Sequence, residues 1–103
     1  MNRYITRGIT NNLSPTLQHQ IWDLVLQKDT NQSNEQEPLD YFHIFQFIMH
    51  QQKLFIRHTQ ENPEYFQYTK ANDNHQVNIS KVYVIREDDV DFSYYVMLLP
   101  EEY

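Results

Sequence analysis

Two histidines, His43 and His58, stand in neighbouring runs of β-forming residues. If the chain turns between His50 and Gln51, the two lie equally far from the turn and face each other across a hairpin. Directly opposed side chains have Cβ atoms about 4.5–5.5 Å apart, which suits two imidazole ligands of one metal ion. Glu61 or Asp40 could add a carboxylate. A structural zinc site usually shows four ligands at tight spacing, and this sequence offers no such set. A one-residue slip of register would also separate the histidines onto opposite faces. The plainer reading is a pair of half-buried strand residues with ordinary hydrogen bonds.

Other chemistry finds less support. The acidic stretch Glu87-Asp88-Asp89-Val90-Asp91 lacks the glycine and closing glutamate of a calcium loop and reads as a solvated hairpin tip. Ser14 is explained by a helix cap, Ser33 lies in a polar loop, and Ser80 and Ser93 stand in strand patterns without a glycine elbow. One glycine in the whole chain excludes a phosphate-cradling loop. Carboxylate pairs such as Glu61/Glu64 and Glu101/Glu102 have the spacing of ordinary surface residues. The expectation is therefore a protein without a catalytic constellation, not an enzyme, and with no cofactor.

The best interaction feature lies on a helix. Ser14 followed by Pro15 is an N-cap with proline at the first helical position, where a missing N–H costs nothing. Leu17, Ile21, Leu24 and Val25 then recur on one face, predicting a helix from Pro15 to Asp29. Trp22 and Leu26 lie about 140° and 180° around from Leu17, so a single sheet face cannot bury both sets. They are neighbours four residues apart, and tryptophan is enriched at binding hot spots. Either they form an exposed binding surface, or a second layer such as the 63–68 segment covers them.

Around that helix the pattern is of strands. Residues 3–9 read as a short first strand, with Gly8 at a strand-end kink or bulge. The polar 30–38 segment reads as a flexible loop. Residues 41–49 and 54–59 form a hairpin whose connection lacks Asn-Gly or Asp-Gly, so a four-residue loop over 50–53 is expected. Residues 63–68 read as a short helical turn or an irregular crossing, and 70–78 as loop. A second hairpin pairs 79–86 with 92–99, where Pro100 stops the strand. Phe92, Tyr94, Val96 and Leu98 share one face, with Tyr95, Met97 and Leu99 on the other. One helix covers one face, which leaves an aromatic face open to a partner or to self-association. The fold class is α+β: one main helix on a mostly antiparallel sheet of about five strands, built from two hairpins plus an N-terminal strand.

Composition sets the outer bounds. The 103 residues make a single domain, 1–103, and an aromatic content of 15% offsets a modest apolar fraction of 40% in building a core. The absence of cysteine excludes disulfides and thiolate metal sites. There is no signal-peptide pattern after Arg3 and Arg7, and no apolar run long enough to span a membrane, so the expected location is the cytoplasm. Fourteen acidic residues against eight Lys plus Arg give a net charge of -6, with the basic residues dispersed, which argues against nucleic-acid binding. An acidic mimic of nucleic acid is a further alternative, weakened because the charge is modest and scattered.

Several segments in order resemble one known family. They are Arg3-Tyr4-Ile5-Thr6-Arg7-Gly8-Ile9, Leu17-Gln18 with Trp22, Asp40-Tyr41 with Ile44-Phe45, and His58 with Gln60-Glu61 and Pro63-Glu64-Tyr65. Lys81-Val82-Tyr83-Val84-Ile85 and Met97-Leu98-Leu99-Pro100-Glu101-Glu102-Tyr103 complete the set. Together they resemble a small family of firmicute bacterial proteins known only as domain of unknown function number nine-sixty. The 30–38 loop and the longer acidic turn depart from it. The resemblance implies a bacterial cytoplasmic protein with no assigned activity, and it places weight on the segment from His58 to Tyr65. The reading that results is a non-enzymatic protein-binding or regulatory domain, with Trp22/Leu26 or the open sheet face as its surface. The alternative is a metal- or small-ligand-binding protein centred on His43 and His58.

Overall fold

A computed structural model describes residues 2–31, 41–61, 64–74 and 77–103. In chain order its elements are β1 (Asn2–Ile5), α1 (Arg7–Asn12), α2 (Pro15–Asn31), β2 (Phe42–His50), β3 (Lys53–Glu61), β4 (Glu64–Lys70), β5 (Lys81–Asp88) and β6 (Ser93–Leu98), with a final 3-10 turn at Pro100–Glu102. The strands form one sheet in the order β1-β6-β5-β2-β3-β4. Among the described residues only the β1–β6 pair is parallel. The architecture is the expected α+β layer pair, with one strand more than expected.

The long helix begins where the sequence places it. Ser14 Oγ accepts from the Leu17 N–H at 3.3 Å and donates to Asp73 at 3.0 Å, tying the cap to the loop after β4. Leu17, Ile21 and Val25 then bury against Phe45, Leu54, Ile56, Val82, Val84 and Met97 of the sheet. Trp22 joins them, 7% exposed, with its ring against Tyr95 and the Arg3 guanidinium over it. The six-stranded sheet accommodates a wider arc of the helix than its stripe alone. Leu26 remains 38% exposed.

Three local expectations are corrected. The first strand ends at Ile5, and Gly8 lies in α1, without positive φ, rather than at a bulge. Its role is close approach: a Cβ there would stand 2.6 Å from Glu102 Oε1. That carboxylate accepts from Thr6 Oγ1 (2.6 Å), the Gly8 N–H (3.1 Å) and the Leu99 N–H (2.9 Å), clamping the C-terminal turn to α1. The second correction is β4, a full strand over residues read as a turn or crossing; Pro63 itself lies outside the described residues. The third is the first hairpin. Its loop is the two residues Gln51 and Gln52, both with positive φ (52° and 68°), a geometry usually filled by Asn-Gly. Asn74 holds it, accepting from the Leu54 N–H at 2.8 Å and donating to the Gln52 carbonyl at 3.1 Å. Of the 30–38 loop, Thr30 and Asn31 belong to α2, and the rest lies outside the described residues.

Candidate functional site

The turn is centred between Gln51 and Gln52, one residue later than the pairing of the two histidines requires, so the register differs by two residues: His58 faces Phe45, not His43. Because side chains alternate with period two, a two-residue shift keeps both histidines on the helix-facing side. They meet on the diagonal, His43 Nδ1 lying 2.9 Å from His58 Nε2, with both side chains buried. Phe45 stacks on His58 at 4.3 Å between ring centroids, and Tyr65 of β4 closes the far edge at 5.3 Å. Lys28 lies over the Tyr65 ring.

The last turn of α2 supplies the carboxylate. Asp29 Oδ1 lies 3.3 Å from His43 Nε2, and its Oδ2 accepts a hydrogen bond from the Tyr95 hydroxyl. The Gln60 amide nitrogen sits 3.4 Å from the same His43 nitrogen. Four elements, α2, β2, β3 and β6, thus contribute to one buried row: Tyr95, Asp29, His43, His58. Burial raises the Asp29 pKa, but the facing His43 imidazole and the hydrogen bond from Tyr95 outweigh it and hold the group below its ordinary value. His58 is pushed down to about 3, chiefly by burial and then by the neighbouring His43 and Lys28 charges. Tyr95 is raised by burial and by its bond to Asp29.

Both nitrogens of His43 are committed, one toward Asp29 and the other to His58, so neither faces an open site. The 2.9 Å separation is that of an N–H···N hydrogen bond. Among the described residues no group of three His, Cys, Asp or Glu side chains is placed to hold a metal ion. Glu61 alternates onto the opposite sheet face from Gln60 and is exposed, and Asp40 lies outside the described residues. Asp29 and Tyr95 were not among the sequence candidates. One signal for Asp29 was available: an acid in the last turn of a helix opposes the macrodipole and therefore needs a tertiary partner.

The opposite sheet face carries the aromatic surface. Tyr103 closes over Phe42 and Tyr83 at one end, with centroid distances of 5.6 and 6.1 Å. Toward β3 and β4, Phe66 and Tyr68 are 62% and 54% exposed. Beside them Ile48, His50, Phe55 and Tyr68 line a depression of about 380 Å³. Arg57 lies over the Tyr68 ring, and the register brings Lys53 and Lys70 to the same rim. Dispersed in sequence, these three cations gather in the fold.

A family model for DUF960, described as a Staphylococcal protein of unknown function, matches residues 2–102. The chain belongs to the DUF960 family. Its fold is shared with the crystal structure of a protein of unknown function from Enterococcus faecalis, at a TM-score of 0.75 and 20% identity, covering 99% of this chain and 90% of that one. No curated protein matches the chain. The segment from His58 to Tyr65, singled out by resemblance to this family, supplies His58 to the buried row and sets Gln60 and Tyr65 beside it. Among the described residues of this DUF960 member no helix is long and apolar enough to cross a membrane.

Proposed function

We propose that this protein is a non-enzymatic binding domain that receives a segment of a partner protein on the β3–β4 end of its open sheet face. The depression lined by Ile48, His50, Phe55 and Tyr68, flanked by exposed Phe66, carries the reading. An exposed apolar patch rimmed by polar groups is the usual form of an interaction site. Its rim of Lys53, Arg57 and Lys70 is positive on a chain whose net charge is -6. The complementary ligand is an acidic segment with one large apolar side chain seated in the depression. A long polyanion is a poorer fit, because the remaining acidic surface repels it. The committed state of His43 supports a binding role over a catalytic one.

The test is titration of the isotope-labelled protein with acidic peptides bearing a central Phe or Leu, with Ala-centred and Lys-flanked controls and an oligothymidine. The acidic apolar peptides should shift the amides of Ile48, Phe55, Arg57 and Tyr68. The variant K53E/R57E should weaken them about tenfold or more. Shifts by the oligothymidine alone, or by none of the ligands, would overturn the reading.

A further inference from the structure

The outer edge of β4 is self-complementary, and the geometry points to a homodimer formed by antiparallel pairing of β4 with β4 of a second copy, centred on Gln67. This rests on the edge and not on the docking face. The strand reads Glu64-Tyr65-Phe66-Gln67-Tyr68-Thr69-Lys70. Folded back on itself about Gln67, it sets Glu64 against Lys70 of the second copy and Phe66 against Tyr68 of the second copy. Opposed charges and aromatic pairs are the favourable cross-strand combinations. Both sets recur across the two-fold axis, so a closed dimer satisfies each twice.

The backbone is phased for this. The Ala71 N–H donates to the Leu54 carbonyl at 2.9 Å, which makes Leu54 and Ala71 a hydrogen-bonded pair of the β3–β4 ladder. Alternation then turns the N–H and C=O groups of Thr69, Gln67 and Tyr65 inward to β3. Those of Phe66 and Tyr68 point outward, and among the described residues nothing pairs with them. Gln20 of α2 closes the end of the edge, donating to the Lys70 carbonyl (2.9 Å) and accepting from the Asn72 N–H (2.7 Å). The open stretch is therefore the self-complementary one.

Edge strands are commonly guarded by an internal charge, a proline or a bulge. From Tyr65 to Thr69 β4 has no charge and no proline, and its only charges sit at its two ends with opposite sign. The other edge, β1, is shorter, at four residues, and carries Arg3. In the dimer Phe66 and the second copy's Tyr68 would lie side by side on the open face, joining the two sheets into one.

Sedimentation equilibrium of the full chain over a range of concentrations tests this. A reversible dimer is expected. Lys70→Glu sets like charges opposite each other twice and should weaken it about tenfold or more; Glu64→Lys should do the same. The double variant E64K/K70E should restore it. All four residues of the pairing are exposed at the edge, so circular dichroism should be unchanged throughout. A monomer at every concentration, a dimer indifferent to the single swaps, or a double variant that fails to recover would each overturn the inference. K53E/R57E, which tests the docking face, should leave the dimer intact, so the two readings fail separately.

Discussion

His43 Nδ1 and His58 Nε2 share one hydrogen bond, at 2.9 Å, inside the core. Such a contact carries one proton between the two nitrogens. With Asp29 ionised, His43 Nε2 carries the proton that faces it. Neutral His58 can then donate to His43 Nδ1. Charging both rings sets N–H against N–H in a buried, low-dielectric site. After burial, this is the next cause that lowers the pKa of His58.

Stability should fall as the solution is acidified, in two stages. His58 has a folded pKa of about 3 against an ordinary 6.5, so below about pH 6.5 the unfolded chain takes up a proton that the folded chain refuses. Its contribution is complete above that value and erodes down to about pH 3, by at most about 1.4 kcal/mol per pH unit. Asp29 acts in the same direction at lower pH, because its depressed pKa makes its contribution vanish as the carboxylate is protonated. Denaturant unfolding from pH 7 to pH 3 should show this decline. His58→Gln, which can still donate to His43 Nδ1, should flatten the stretch between pH 6.5 and 4. An unchanged slope in that variant would assign the dependence elsewhere.

Tyr95 anchors the other end of the row. Tyr95→Phe keeps the ring against Trp22 but removes the hydroxyl that donates to Asp29. A partly buried carboxylate then loses one of the bonds that offset its desolvation. Stability at pH 7 should drop by about 1–3 kcal/mol, and the Asp29 pKa should rise. Urea unfolding and carboxyl NMR titration read the two effects. A variant as stable as the parent would show that the hydroxyl bond contributes little.

What the sequence showed and what it hid divide along the range of the interactions. Ser14-Pro15 caps α2 through contacts three residues away, so that start was legible. The shared face of His43 and His58 was legible for a different reason: an error of two residues in register leaves parity intact. β4 was hidden because its aromatic, polar stretch pairs with β3 without a hydrophobic alternation of its own. Asp29 and Tyr95 are 66 residues apart, and only the packing of α2 across the sheet joins them. One sheet face looked unable to bury Trp22 together with the Leu17 stripe because a stripe argument ignores how broadly a six-stranded sheet can receive a helix. The tight turn was hidden because Gln51-Gln52 carries no turn signal and depends on Asn74, outside the hairpin.

That turn offers the simplest route to a more stable protein. Gln52 holds φ at 68°, where a side chain costs energy that glycine avoids. Gln52→Gly leaves its carbonyl free to accept from Asn74 as before. The substitution should stabilise the fold by about 1 kcal/mol, with the melting temperature rising by about 4–8 °C for a domain of this size. Asn74→Ala should act in the opposite sense, since it leaves the Leu54 N–H and the Gln52 carbonyl without their bracket. If the turn were held by the strands alone, Asn74→Ala would be silent. If glycine's freedom in the unfolded chain outweighed the relief, Gln52→Gly would lower the melting temperature. Thermal unfolding of the two single variants and their combination separates local backbone preference from the tertiary clamp.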